Sequence, residues 1–365
     1  MLYSLNYQLS FLSFISAFLL VLFFVPLVKR LALKLKIVDI PRLARKIHSR
    51  PTPLLGGLAV FLGLALVIAG LTFFSDELVV RTIKFKYIIA ILLGAGWLLI
   101  GGVLDDKYDL KPRQQIIWPI LATITVIAGG IGVKFITNPL GGIIDFNQWQ
   151  ITLFALADMP YRLTILADLF SFFWILGMIY TTKYLDGLDG LVAGNTVIAS
   201  LVLFFLSLSS AVHQPETALL ALVMAGAFLG FLVFNRHPAK IFLGEAGSTL
   251  AGFLLAVIAI IAGAKIATTL LIMGIPILDA IWVILRRMFW EKRSPFVGDR
   301  KHLHFRLLDA GLTHQQAVLF LYLIAIIFGL IALFLQTQAK AIALLTLLGF
   351  MVILGLVVVK KRRNN

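Results

Sequence analysis

Long apolar stretches recur along the whole chain and are separated by shorter polar segments. A membrane-spanning helix needs about 20 predominantly apolar residues. The fifth of the stretches below is the weakest, because Arg162 and Asp168 lie at its start. The pattern predicts an all-α polytopic membrane protein with about eleven transmembrane helices, at 8–28, 54–74, 86–104, 114–132, 164–182, 190–210, 217–234, 247–264, 266–285, 316–336 and 340–359.

The composition supports the membrane assignment. Of the 365 residues, 61% are hydrophobic and only 13% are charged, which is more apolar surface than a soluble domain of this length can bury. There is no cysteine, so disulfides, thiol nucleophiles and cysteine metal ligands are excluded. The first apolar stretch is long and ends at Lys29 and Arg30, which predicts a retained helix rather than a removed signal. We therefore expect one integral membrane domain over 1–365.

The net charge of +15 comes from lysines and arginines that lie mainly in the loops between the apolar stretches. Basic residues near helix ends mark the cytoplasmic face. If the N-terminus lies outside and the C-terminus inside, all but seven of the 32 lysines and arginines lie on the inner side. The exceptions are Arg81, Lys84, Lys86, Lys134, Arg162, Lys265 and Lys340. The basicity is thus a topology signal, and it does not indicate a nucleic-acid partner.

Two loops are predicted to contain structure of their own. In the outer segment 132–163, turn dipeptides and an alternating run at 149–153 predict a small hairpin. In the inner segment 286–315, Phe305, Leu308 and Leu312 recur at helical spacing, which predicts a short amphipathic helix at the membrane interface.

Five inner loops are rich in groups that bind phosphate or metal, and we expect them to form one site: 29–53, 105–113, 183–190, 235–247 and 286–315. In the first, Arg45, Lys46 and His48 are candidate phosphate clamps ahead of the pair Gly56-Gly57. An ordinary positively charged inner loop explains the same residues.

The second and third loops each contain closely spaced acidic residues. Asp105 and Asp106, with Asp109 nearby, lie at the end of an apolar stretch, where adjacent carboxylates repel unless a cation offsets them. Mg²⁺ takes such oxygen ligands, although a solvated helix end is the alternative. Asp186 and Asp189 are three residues apart, on one side of a helical turn, between glycines that suit either a ligand or a plain turn.

The last two loops add further polar groups. Glu245 offers oxygen ligands, and Ser248 lies at a predicted helix start, which suits a pyrophosphate but is equally explained by capping. His302 and His304 follow a basic pair and suit phosphate binding or proton transfer, unless they are surface residues of the interfacial helix. Asp279 interrupts an apolar stretch and is a functional candidate or an ion-pair partner of Arg286.

The chain resembles the polyprenyl-phosphate N-acetylhexosamine-1-phosphate transferases, a membrane family that includes the phospho-MurNAc-pentapeptide transferases of peptidoglycan synthesis. The likeness runs from Asp39 to about His314 and includes the family's plan of eleven helices with the N-terminus outside. The motifs occur in family order: RKxHxxPxPxxGG at 45–57, DDxxD at 105–109, DGLDGL at 186–191, PAKIFLG at 238–244 and DRKHLH at 299–304.

The resemblance implies a reaction. A UDP-N-acetylhexosamine and undecaprenyl phosphate would give undecaprenyl-diphospho-sugar and UMP, with Mg²⁺ as cofactor and Mn²⁺ as an alternative ion. The reaction would be the first membrane step of a cell-envelope glycan, at the cytoplasmic face of a bacterial inner membrane. A homodimer is an open possibility that the sequence does not decide.

The resemblance also implies residue roles. Asp105 and Asp106 would position the lipid phosphate and hold the metal together with Glu245, while Asp186 and Asp189 would lie in the nucleotide-sugar site. The expected substrate-binding residues are Arg45, Lys46, His48, Asp109, Lys183, Asn235, Lys240, Ser248, His302 and His304.

Asp109 stands where the peptidoglycan branch usually has lysine, which favours the GlcNAc-1-phosphate branch over the phospho-MurNAc-pentapeptide transferases. Three positions depart from the family: Lys183 replaces the usual asparagine, Glu245 the usual aspartate, and Phe305 the usual histidine. These departures leave a catalytically inactive nucleotide-sugar binder open as an alternative, and a membrane transporter is the rival from another class.

Overall fold

The computed structural model describes residues 6–41, 50–156, 159–210, 212–263, 265–292, 294 and 300–364. Fourteen α-helices and one π-helix (Arg286–Trp290), which directly follows α11, form most of it, which confirms the all-α prediction. The helices are α1 (Tyr7–Lys34), α2 (Gly56–Phe74), α3 (Phe85–Tyr108), α4 (Pro112–Gln115), α5 (Ile117–Ala128), α6 (Ile165–Leu185), α7 (Leu191–Leu208), α8 (Pro215–Asn235), α9 (Gly244–Ile261), α10 (Ile266–Ile272), α11 (Gly274–Leu285), α12 (Leu303–Asp309), α13 (His314–Phe334) and α14 (Thr337–Asn364). The strands are β1 (Val38–Asp39), β2 (Thr52–Pro53), β3 (Phe135–Thr137), β4 (Ile143–Asp145), β5 (Gln150–Leu156) and β6 (Met159–Thr164).

Every one of the eleven predicted apolar stretches contains helix. However, fewer than eleven of the described helices are long enough to span a membrane. In the described part of the chain, nine helices are long and apolar enough to cross a membrane, and α10 with α11 makes a tenth, bent by 81°. In the predicted stretch 114–132, α5 has only 12 residues, about 18 Å of helix against about 30 Å of hydrocarbon. The eleven-span count and the N-out orientation stay predictions.

Helix α9 lies at the centre of the bundle. It is almost wholly buried and packs against α2, α3, α6, α7 and α8. Glycines let two neighbours come very close: a Cβ on Gly57 would lie 2.3 Å from the backbone nitrogen of Gly247, and one on Gly102 would lie 2.2 Å from that of Ala246. Small residues at helix contacts are the usual basis of close packing in membranes. Here they bring the start of α2 and the last turns of α3 against the start of α9.

The predicted outer segment contains two hairpins. β3 pairs antiparallel with β4, and β5 pairs antiparallel with β6, so the prediction of a hairpin within 132–163 is confirmed. The alternating run at 149–153 falls on β5 and its approach. The buried Glu216 at the start of α8 belongs to the same end of the bundle, where it accepts a hydrogen bond from Arg81 N at 3.1 Å.

The predicted short inner helix exists as α12. The buried residues are Leu303, His304 and Leu307, whereas Phe305 and Leu308 are only partly buried. The helix is fixed at its first residue by Asp279 of α11, whose Oδ1 accepts a hydrogen bond from Leu303 N at 2.9 Å. This contact joins residues 24 positions apart, so the local periodicity carries no signal of it.

Candidate active site

The polar loops predicted to lie on the inner side meet at one end of the bundle, opposite the hairpins. Hydrogen bonds join the segment after β2 to residue 242, the end of α3 to the start of α9, and the end of α6 to the start of α9. The phosphate-clamp candidates Arg45, Lys46 and His48 lie outside the described residues. The other predicted site residues fall in this region, each with the contacts given below.

Asp106 lies against the first turn of α9. Its Oδ1 accepts a hydrogen bond from Glu245 N at 3.0 Å, and a helix N-terminus stabilises negative charge. Its Oδ2 is buried and has no hydrogen-bond partner among the described residues. Gly244 makes this contact possible, because it adopts φ +71° and a Cβ there would lie 2.3 Å from that same Oδ2. The loop therefore holds a carboxylate with one buried, uncommitted oxygen.

Asp105 is held by the segment that follows α3. Its Oδ1 accepts hydrogen bonds from Leu110 N at 2.9 Å and from Gln115 Nε2 at 2.8 Å. Asp109 ends α3 in the left-handed conformation (φ 50°) and is exposed, with its N–H donating to Asp105 O at 2.8 Å. Sequence reasoning missed Gln115, and its only signal was an amide at the start of an apolar stretch.

Lys183 joins the acidic cluster from α6. Its Nζ lies 2.5 Å from Glu245 Oε1 and 3.1 Å from Gln115 Oε1. A continuous set of polar contacts thus runs from Asp105 through Gln115 and Lys183 to Glu245. The ammonium offsets repulsion among carboxylates that lie at the edge of the membrane domain.

Asp186 follows the last residue of α6. The surrounding protein displaces water from its carboxyl, and the like charges of Glu245 and Asp189 add to this, so that its pKa is raised to about 7. The residue nevertheless has accessible surface. A carboxyl with a perturbed pKa at the polar end of the bundle is a functional-site candidate.

Asp189 faces the loop after α8. Its Oδ2 accepts a hydrogen bond from Ala239 N at 3.0 Å and lies 2.7 Å from His237 Nδ1. The ring of His314 stacks on that of His237, with centroids 4.0 Å apart. The sequence interpretation assigned no role to these two histidines, because they are 77 residues apart and neither belongs to a motif.

The structure gives two other predicted substrate-binding residues, Asn235 and Ser248, local contacts. Asn235 Oδ1 accepts from Gly190 N at 3.0 Å, and its Nδ2 donates to Ile241 O at 3.0 Å, so the amide ties two loops together. Ser248 Oγ donates to Gly244 O at 3.0 Å; it does not cap the helix, since α9 begins at Gly244. Lys240 is exposed.

His302 and His304 are buried between α11, α12 and the end of α6. His302 Nδ1 lies 2.8 Å from Asp279 Oδ2, so the predicted Asp279–Arg286 pair is replaced by a His302 contact. His304 Nε2 lies against Gly187, where a Cβ would come within 2.1 Å of it. Burial, with a smaller contribution from His302, lowers the pKa of His304 to about 3. His304 is therefore neutral at physiological pH and offers hydrogen bonds rather than positive charge.

The acidic cluster of Asp105, Asp106 and Glu245 has oxygen donors of the kind that bind a divalent cation. The buried, uncommitted Asp106 Oδ2 and the carboxylate donors fit a hard cation such as Mg²⁺. However, Asp105, Asp106 and Glu245 do not bring three ligand atoms within 4.8 Å of one another. Among the described residues, only Asp189, His237 and His314 do so. The metal at Asp105, Asp106 and Glu245 therefore stays a prediction, with Asp106 the best-placed ligand.

Taken together, the bundle and its polar end define an integral membrane protein with an acid-rich cleft built from the ends of α3 and α6 and the start of α9. Residues 87–263 match the model of glycosyl transferase family 4.

Similar proteins extend this likeness over most of the chain. A Bacillus subtilis protein named a probable undecaprenyl-phosphate N-acetylglucosaminyl 1-phosphate transferase is 34% identical over 331 residues, which is 89% of this chain and 84% of the relative. A Mycobacterium tuberculosis decaprenyl-phosphate N-acetylglucosaminephosphotransferase is 34% identical, over 81% of this chain and 75% of the relative. A Salmonella typhi undecaprenyl-phosphate alpha-N-acetylglucosaminyl 1-phosphate transferase is 28% identical, over 86% and 80%. The chain belongs to this glycosyl transferase family, as its motifs predicted.

Proposed function

We propose that the protein transfers N-acetylglucosamine 1-phosphate from UDP-N-acetylglucosamine to undecaprenyl phosphate and releases UMP. The similarity to transferases named for this type of acceptor and sugar, over most of both chains, carries the proposal. The reaction would be the first membrane step of a cell-envelope glycan. The predicted orientation places the cleft at the cytoplasmic face of a bacterial inner membrane.

The transfer is a substitution at phosphorus. An oxygen of the lipid phosphate forms a bond to the β-phosphorus of the nucleotide sugar, the bond from that phosphorus to the bridging oxygen breaks, and UMP leaves with the electron pair. Catalysis of such a step is mostly positioning and charge stabilisation. A bound Mg²⁺ would offset the negative charge that the two phosphates bring together.

The chain's own residues would divide the work. Asp105 and Asp106, at the end of α3, would position the lipid phosphate and accept its proton if it arrives protonated. Asp186 and Asp189 would hold the nucleotide-sugar side, where the Ala239 N–H and His237 already fix the Asp189 carboxylate. His304 is neutral and packs on Gly187, so it would hold the turn between Asp186 and Asp189 in position by contact.

Two alternative functions have less support than the proposed transferase. The phospho-MurNAc-pentapeptide transferase shares the motifs, but the relatives above are named for N-acetylglucosamine. A transporter would concentrate ionisable groups near the middle of the bundle and its broken helices. In this chain the clustered acids lie at the end of α3, the end of α6 and the start of α9.

The test is UMP release by detergent-purified protein supplied with undecaprenyl phosphate, Mg²⁺ and either UDP-N-acetylglucosamine or UDP-N-acetylgalactosamine. We expect UMP only with lipid and with the first donor, and we expect a chelator to abolish it. UMP only from UDP-MurNAc-pentapeptide would move the protein to the peptidoglycan branch. Binding of nucleotide sugar without UMP from any donor would refute the transferase and leave a binding protein.

A further inference from the structure

The contact between Lys183 and Glu245 is the closest charged contact of the cleft, with Nζ 2.5 Å from Oε1. Both side chains are largely shielded from water, at 19% and 17% exposure. Lys183 Nζ also donates to Gln115 Oε1 at 3.1 Å, and Gln115 Nε2 donates to Asp105 Oδ1. An ammonium is thereby fixed between two of the three acids that the motifs predict as metal ligands.

An ammonium and a divalent ion compete for the same oxygen. Lys183 already occupies Glu245 Oε1, whereas the buried Oδ2 of Asp106 has no hydrogen-bond partner in the described part of the chain. Lys183 also lowers the formal charge of the cluster formed by Asp105, Asp106 and Glu245 from three negative charges to two. Since the affinity of a carboxylate site for divalent cations rises with its negative charge, Lys183 acts against metal binding in two ways.

We propose that Lys183 is a built-in cation of this cleft: it removes Glu245 from the metal-ligand set and supplies a fixed positive charge beside the reacting phosphates. A divalent ion is then held by Asp106 and Asp105 alone, more weakly than in a cleft without the lysine. The consequence for catalysis rests on the proposed function, but the statement about metal affinity does not. Lys183 thus acts by holding Glu245 and Gln115 in position and by supplying a positive charge.

The test measures Mn²⁺ binding to detergent-purified protein by electron paramagnetic resonance, without lipid or nucleotide. Lys183→Asn frees Glu245 and restores the third negative charge, so we expect Mn²⁺ to bind at least about tenfold more tightly than to the wild type, from Coulomb attraction at close range. Equal affinity of wild type and variant would overturn the proposal. Because no turnover is measured, failure here is distinguishable from failure of the transferase assignment.

Two further variants complete the test. Lys107→Asn removes the same charge from an exposed position near the end of α3, and its Mn²⁺ affinity should stay close to that of the wild type. A gain in Lys107→Asn equal to that of Lys183→Asn would reduce the effect to overall charge and overturn the proposal. If Lys183→Asn does not fold, the double variant Lys183→Asn, Glu245→Asp takes its place, with the same tighter binding expected and the same overturning result.

Discussion

Replacing Asp106 by asparagine is expected to abolish UMP release while leaving the protein folded in the membrane. The asparagine keeps an oxygen that accepts the hydrogen bond of Glu245 N, so the contact between α3 and α9 survives. What it loses is the negative charge and the buried oxygen that lies beside Gly244 and has no hydrogen-bond partner among the described residues. We expect a loss on the order of 10³-fold in turnover, as found when a single charge-stabilising group is removed from an active site.

Asp145→Asn is the matched control for this change. Asp145 lies at the opposite end of the bundle, and its Oδ1 likewise accepts a backbone hydrogen bond, from Asn147 N at 2.8 Å. This variant should release UMP at the wild-type rate. Wild-type activity in Asp106→Asn, with detergent-extractable protein of normal thermal stability, would exclude its carboxylate from the chemistry.

The elements that the sequence predicted best are those set by composition over a long window. Each apolar stretch became helix because lipid leaves the backbone no partner except itself. The bend between α10 and α11 was not predicted, although Gly274 and Pro276, two residues that disfavour a continuous helix, lie directly after it. The short α5 was also missed, because hydropathy reports apolar residues whether or not the helix continues through them.

The candidate site was predictable as a set of motifs but not as a set of contacts. Asp186, Asp189 and Glu245 could be named because each lies in a recognisable motif. Gln115, His237 and His314 could not, because the contacts that distinguish them, of Gln115 with Lys183 and of the two histidines with each other, join residues far apart in sequence. Ser248 shows the opposite error: a plausible capping residue proved to lie inside α9 once Gly244, with its positive φ, allowed the helix to start earlier.

The placement of Asp106 depends on a glycine one turn before it, so Gly102→Ala should impair both stability and turnover. An added Cβ would lie 2.2 Å from Ala246 N and 2.3 Å from Ala246 Cα, which are backbone atoms that no side-chain rotation can move. Helix α3 must therefore shift away from α9. We expect a loss of about 1–3 kcal/mol in the free energy of unfolding, as for other overpacked contacts.

The same shift withdraws Asp106 from Glu245 N, and a displacement of about 1 Å in a catalytic group can cost on the order of 10²-fold in rate. Gly96→Ala on the same helix is the control, since a Cβ there meets no atom within 4 Å. Thermal unfolding in detergent and UMP release measure the two effects. If Gly102→Ala behaved like Gly96→Ala in both, the backbones of α3 and α9 would not be in contact at this point. The position of Asp106 would then have to be set by something other than helix packing.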